Sequence, residues 1–322
     1  MGTFTQLGTE ELRALSTAFD LGDLTGSRAI AAGTINSNFA LETSRGRFFL
    51  RVNEGKAEAD VAWEARLVGA LAVAGVATPP PLAARDGRPY APVPGHPGKW
   101  ASAFPWRGGH HLDDVTVPVA HELGAQLARL HVAGLALPTD WRRTSIYDHA
   151  HLARRYDGFR ANPDLALAPA IAIIGEELLR AASSSERREA TQGIIHGDLF
   201  RDNVLWEGER ITAILDFEQA SGGSLAYDLA VCINDWCWTG AAFDLALVRA
   251  LVDGYQSVRS LPDGDRRALP VEVRLAATRF TITRITDVYL ANVTNPEKDF
   301  RAFLARVDAW RGPALGALHA LL

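Results

Sequence analysis

The stretch His196-Gly-Asp198-Leu-Phe-Arg-Asp-Asn203 places an aspartate five residues ahead of an asparagine. A second aspartate, Asp216, comes thirteen residues later, directly after the apolar run Ile211-Thr-Ala-Ile-Leu215. These residue types at this spacing suit phosphoryl transfer. A carboxylate at Asp198 can orient an attacking hydroxyl and take its proton, while Asn203 and Asp216 offer the hard oxygen donors that hold Mg²⁺ against phosphates. The reaction needs positioning and charge neutralisation rather than covalent help, so a short loop and the end of a neighbouring strand are enough to carry it. The bland alternative is a polar His-Gly-Asp turn and a helix cap at Asp216. The apolar strands flanking the loop favour the chemical assignment.

The nucleotide side has weaker markers. There is no G-x-x-x-x-G-K-[ST] phosphate loop. The turn Gly33-Thr-Ile-Asn36-Ser37-Asn38 ahead of a strand could cover phosphates with its backbone amides, or it could be a hairpin turn and nothing more. Arg51 on the next strand and Glu64 on the following helix stand where a kinase carries a phosphate-binding cation and its carboxylate partner. The cation expected there is a lysine. Arginine keeps the charge and can grip phosphate with two donors. Lysine occurs only at Lys56, Lys99 and Lys298, and Lys56 is the nearby alternative.

The elements that must position these residues follow from patterning. A helix is expected over 9–20 with Thr9 as its N-cap. Strands are expected at 38–43 and 47–52, joined by the turn Ser44-Arg45-Gly46. A helix over 58–74 stops at Gly75. After a Pro-rich break at Thr78-Pro-Pro-Pro-Leu82, one more strand at 99–105 leads into the connector Pro105-Trp-Arg-Gly-Gly109. From there the pattern is helical: 117–134, 148–161, 168–183, 225–237, 243–258, 265–292 and 297–309, interrupted by the island 194–217. The expected fold class is therefore α+β: a protein-kinase-like two-lobe fold, with a small β-rich lobe over 1–105 and a larger, mainly helical lobe over 106–322.

Composition sets the outer bounds. The 322 residues are 48% hydrophobic and 22% charged, which suits a folded chain long enough for two cores. A net charge of −5 gives no broad basic field, so neither nucleic acid nor membrane is expected as a partner. Cys232 and Cys237 form no CxxC and are read as small core residues. No leader or spanning segment is expected, and the setting that follows by default is cytoplasmic. His131 reads as a packed structural residue. His110 and His111 carry no assignment.

The loop, the Asp216-Phe217 pair, the segment Leu225-Ala-Tyr-Asp228-Leu-Ala-Val and the helix end Leu127-Ala-Arg-Leu-His131 resemble the aminoglycoside phosphotransferase and choline kinase family. Within it the chain is similar to the homoserine kinases of that fold, through Asn36-Ser-Asn-Phe, His196-Gly-Asp-Leu-Phe-Arg-Asp-Asn-Val-Leu, Tyr227-Asp-Leu-Ala, Asn234-Asp-Trp-Cys and Arg279-Phe…Arg284. The similarity runs from Phe4 to about Leu304. It implies ATP and Mg²⁺, with phosphorylation of the L-homoserine hydroxyl on the route to threonine. It implies Asp198 as base, Asn203 and Asp216 as metal ligands, and Asp228, with His196, as structural support of the loop. The chain departs from those kinases at Phe217-Glu218-Gln-Ala-Ser, where they often carry an aromatic residue or Asn.

A free amino acid brings an ammonium and a carboxylate. Glu218 or Asp235 is a candidate for the first, and Arg201 or Arg284 for the second. The same fold acting on another small alcohol (an aminoglycoside, choline or ethanolamine) is the nearest rival. A nucleotide-binding, pseudokinase-like module is a second, supported by Arg51 alone. A protein kinase is disfavoured, because no long activation segment and no Ala-Pro-Glu stop follow Asp216. Oligomeric state is not legible.

Overall fold

The computed structural model describes residues 5–30, 36–293, 295 and 298–322. Phe4 and residues 33–35 of the expected phosphate-covering turn lie outside the described residues. The chain divides into two compact units. Where the sequence suggests one break at 105/106, the first unit comprises 1–109 together with Thr212–Glu218, and the second comprises 110–211 with 219–322. Hydrogen bonds account for the transferred segment. Ile214 N donates to Ala77 O at 2.6 Å, and Thr212 Oγ1 donates to Gly108 O at 2.8 Å.

The first unit opens with α1 (Thr9–Ala18). Its N-cap is Gly8 rather than Thr9. Glu11 Oε2 accepts the Gly8 N–H at 2.6 Å, so the cap is made from within the first turn. Five strands follow: β1 (Leu24–Ile30), β2 (Ser37–Thr43), β3 (Gly46–Asn53), β4 (Ala91–Pro92) and β5 (Trp100–Pro105), in the order β1-β2-β3-β5-β4. β1 was not expected. Its sequence, Leu-Thr-Gly-Ser-Arg-Ala-Ile, is an exposed edge with no apolar alternation to reveal it.

The sheet reads by twos. Phe39 pairs with Leu50, Leu50 with Ala103 and Val52 with Ala101, and these side chains join Leu12, Leu15 and Phe19 of α1 in one core. The intervening positions therefore point to the other face. Arg51, in register with Asn38 and Ser102, is one of them. Helix α2 (Glu58–Val73) buries Val61, Glu64, Ala65, Val68 and Leu71, the stripe of a 3.6-residue period with a carboxylate set inside it. That carboxylate needs a cation, and β3 supplies one.

The second unit is mainly helical. Its helices are α3 (Val117–Ala136), α4 (His149–Phe159), α5 (Ala168–Ser183), α6 (Ser185–Glu189), α7 (Leu225–Trp236), α8 (Leu245–Gln256), α9 (Asp263–Arg284), α10 (Phe300–Arg311) and α11 (Pro313–Leu321). The single helix expected over 265–292 is instead α9 followed by a π turn at Ile285–Tyr289. Trp236 closes α7, and Trp238 lies beyond its end.

Between α6 and α7 come β6 (Gln192–Ile195), the hairpin strands β7 (Val204–Glu207) and β8 (Arg210–Ile214), and β9 (Ser221–Ser224). β9, Ser-Gly-Gly-Ser, has no strand propensity of its own. It pairs antiparallel with β6, and an added Cβ at Gly223 would sit 2.5 Å from Ile195 Cδ1. No helix among the described residues is long and apolar enough to cross a membrane.

Helices α3 and α8 touch backbone to backbone. A Cβ on Gly254 would lie 1.9 Å from His121 O, and one on Gly124 would lie 2.0 Å from Leu251 O. Gly254→Ala is expected to lower unfolding free energy by about 3 kcal/mol. Gly316→Ala, where the new methyl meets nothing within 4 Å, is expected to leave stability within about 1 kcal/mol of wild type. Denaturant melts read both, and equally small changes would remove the α3–α8 contact from the account.

Candidate active site

In the second unit, the chain leaves β6 into the loop 196–203. Gly197 turns it with φ 77°, and a Cβ there would lie 3.1 Å from Gln219 O, so glycine meets both demands. One face of α7 holds this loop. Asp228 Oδ2 accepts His196 N at 2.7 Å and Oδ1 accepts Gly197 N at 2.8 Å. Four and eight positions further along, Cys232 packs beneath Leu199 and Trp236 Nε1 donates to Leu199 O at 3.0 Å. Asp235 Oδ2 accepts Arg201 N at 2.9 Å.

Asp228 is fully buried. Burial opposes its charge, but the hydrogen bond from His131 Nε2 at 3.0 Å and the loop amides outweigh burial and hold its pKa below the usual carboxylate range. His131, on α3, is itself buried and meets Tyr255 Oη of α8 at 2.7 Å through Nδ1.

This clamp leaves Asp198 at the crest of the loop with its side chain 30% exposed. Its carbonyl accepts Phe200 N and Asn203 Nδ2, both at 2.8 Å. Asn203 donates to that carbonyl through Nδ2, so its Oδ1, a hard oxygen, is directed elsewhere. The Asp198 carboxylate receives Arg279 Nη1 of α9 at 3.2 Å. Arg279 was legible in the sequence only as part of a family match. No spacing rule connects two residues 81 positions apart.

The other suggested ligands have structural work to do. The Arg201 guanidinium donates to the carbonyls of Asp113, Asp235 and Trp236. Arg284 donates to Asp299 O at 3.1 Å and lies over Phe303.

The first unit gathers a separate charge cluster. Arg51 Nη2 donates to Glu64 Oε1 at 2.6 Å, and Lys56 Nζ donates to Glu64 Oε2 at 2.9 Å. Glu218 joins from the segment after β8. Its Oε1 is 3.0 Å from Lys56 Nζ and 3.9 Å from Arg51 Nη1, and it accepts Asn36 Nδ2. The arginine and the lysine considered as rivals thus share one carboxylate. Burial works against the Arg51 charge, and Glu64, Glu218 and Asp216 outweigh it and raise its pKa. Ser37 bridges Thr5 N and Glu54 Oε1, and Asn36 Oδ1 accepts Glu54 N, so both side chains are bonded within the protein. Asn38 is cross-strand from Arg51.

Asp216 has φ 60°, a left-handed conformation that is rare outside glycine and tolerated best by Asp and Asn. Its Oδ1 accepts Glu218 N at 3.3 Å and lies 4.0 Å from Arg51 Nη1, while 45% of the side chain stays exposed.

The donor set suits Mg²⁺. Asn203 Oδ1 and the exposed Asp216 carboxylate are hard oxygens. Among the described residues no group of three or more His, Cys, Asp or Glu forms a closed metal cage. Mg²⁺ in phosphoryl-transfer sites is ordinarily held by one or two protein oxygens, with phosphates and water completing the shell.

A β-sheet unit carrying a buried Arg–Glu pair, and a helical unit carrying a clamped Asp-x₄-Asn loop, define a phosphotransferase of the protein-kinase-like fold. A solved amicoumacin kinase, in complex with AMP-PNP, Ca²⁺ and Ami, superposes with a TM-score of 0.74 over 95% of this chain and 94% of that one, at 13% identity. The phosphotransferase enzyme family model (APH) matches residues 27–261, and the chain belongs to that family. Among curated relatives, the homoserine kinase of Gluconacetobacter diazotrophicus is 39% identical over 89% of both chains. That of Afipia carboxidovorans is 34% identical over 89% of this chain and 87% of its own.

The electrostatics of Glu64 predict an acid-dependent stability. Burial raises its pKa, but Arg51 and then Lys56 bring it from 4.5 down to about 2. A carboxyl depressed on folding stabilises the protein above its unfolded pKa, and that contribution fades as pH falls toward the folded value. Glu64→Gln is expected to cost about 3 kcal/mol at pH 7, because it strands a buried guanidinium. The gap from wild type should shrink as pH falls from 4.5 toward about 2. Urea midpoints across that range check it; a constant gap would show that Glu64 is not held ionised by Arg51.

Proposed function

We propose that this protein transfers the γ-phosphoryl group of ATP to the side-chain hydroxyl of L-homoserine, giving O-phospho-L-homoserine and ADP. The observation that carries the reading is the loop 196–203: Asp198 is presented on a crest whose main chain is pinned by Asp228, with a guanidinium on its carboxylate. Extensive similarity to homoserine kinases along most of the chain supports the choice of alcohol.

In this mechanism the Asp198 carboxylate accepts the substrate hydroxyl proton as the oxygen bonds to the γ-phosphorus and the bond to the β–γ bridging oxygen breaks. A donated hydrogen bond from Arg279 fixes which oxygen of Asp198 faces the hydroxyl. Asn203 Oδ1 and the Asp216 carboxylate would hold Mg²⁺, which when bound neutralises charge on the phosphate oxygens. Arg51 and Lys56 supply the positive charge for the nucleotide phosphates, kept in place by Glu64 and Glu218. Two cations on one carboxylate let the arginine stand where a lysine is usual, since Lys56 adds the compact charge that a guanidinium lacks.

A coupled ADP-release assay with ATP·Mg²⁺ tests the reading against L-homoserine, L-serine, L-threonine, choline and kanamycin. Turnover is expected with homoserine. Asp198→Asn should lower kcat by 10³-fold or so without raising KM for ATP. Turnover with only choline or kanamycin would overturn the substrate, and undiminished turnover in the variant would overturn the base.

A further inference from the structure

Arg279 is more than a neighbour of Asp198. Its side chain is only 3% exposed. The ring of Phe280 lies 3.7 Å from its Cζ and that of Tyr147 lies 4.0 Å away. Two rings that close cannot share one face of a guanidinium, so both faces are covered and only in-plane donors remain. Nη1 is used on Asp198. Nε is buried and meets no acceptor among the described residues.

A second buried donor stands in the same condition. The Tyr227 hydroxyl, on α7, likewise has no partner among the described residues. The two groups feel each other: burial pushes the Tyr227 pKa up, and Arg279 is the leading influence in the opposite direction. Buried donors without acceptors are unfavourable and uncommon. Arg279 bonds the candidate base through one in-plane donor and keeps another for which the described residues offer no acceptor, as an anion would. The other arginines considered for this task are engaged with backbone carbonyls and do not touch Asp198.

We propose that Arg279, assisted by Tyr227, receives the α-carboxylate of the amino-acid substrate. Resting on the reading of L-homoserine as substrate, one rigid planar group would then hold the base through Nη1 and the carboxylate through its Nε edge. The guanidinium acts as a ruler. It fixes the separation between the carboxylate and the hydroxyl that Asp198 can reach, admitting homoserine and leaving the shorter serine hydroxyl out of range. Arg279 is a specificity-determining residue in this assignment, as well as one that positions Asp198.

The test compares L-homoserine with 3-aminopropan-1-ol, the same molecule without its carboxylate, in wild type, Tyr227→Phe, Arg279→Lys and Arg279→Gln. Wild type should favour homoserine by ~100-fold in kcat/KM. Tyr227→Phe should raise the homoserine KM by about tenfold and affect aminopropanol turnover far less. Arg279→Lys, which keeps a charge but not the planar pair of donors, should lose much of the discrimination between the two alcohols, and Arg279→Gln should lose nearly all of it. Equal losses for both alcohols in Tyr227→Phe and Arg279→Lys would overturn the proposal, since Arg279 would then act through Asp198 alone. If Arg279→Gln does not fold, Tyr227→Phe decides. A wild-type enzyme with no preference for homoserine would sink the substrate reading itself, before any variant is made.

Discussion

The second unit is organised around one buried carboxylate. Asp228 is buried away from solvent, so its charge must be met by donors within the protein. It finds two main-chain amides of the loop and one imidazole. The polarity of this set is fixed. Asp228 can only accept, so His131 donates to it through Nε2, while the other ring nitrogen, Nδ1, meets Tyr255 Oη. Tyr255 in turn accepts from Arg259 Nη1 at 3.1 Å. Arg259, Tyr255, His131, Asp228 and the loop amides thus form one connected set of hydrogen bonds. A loop that must offer Asp198 at a defined height is thereby tied to three helices rather than to its own turn residues.

The first unit solves a different problem with the same physics. Glu64 lies within the buried stripe of α2, where an ion without a partner would be strongly disfavoured. Its partners come from β3 and the residues just after it, and a further acid arrives from the short segment that follows β8. Charges of both signs are packed so closely that none can be removed without exposing another. Such a cluster is a poor source of net stability, but it holds cations in place without consuming all of their donors. That property is what the proposed phosphate contact would use.

The candidate residues for the chemistry were legible in the sequence because their spacing is local. Asp198, Asn203 and Asp216 lie within twenty residues, on a loop and a strand end whose apolar flanks announce them. Arg51 and Glu64 were legible because strand alternation and helix periodicity put each on a predictable face. Other features were hidden for stated reasons. β1 is a polar edge, and β9 is two glycines between serines that become a strand only because β6 lies beside them. The cap at Gly8 has no side chain to signal it. The π turn after Arg284 interrupts an apolar pattern that runs on smoothly. The contact between Arg279 and Asp198 is a tertiary fact, made by the packing of α9 and invisible to any window along the chain.

The glycines at the α3–α8 crossing have a consequence beyond packing. His131 is on α3 and Tyr255 is on α8, directly after Gly254. Their hydrogen bond of 2.7 Å spans the two helices at a point where the backbones nearly touch. A phenol has a fixed reach, so the helix separation acts as a gauge for the whole donor chain that ends at the loop. Drift at a residue far from any substrate would lengthen that gauge. A lineage could therefore lose its catalytic geometry through one methyl group set into this crossing, with every residue that touches substrate still in place.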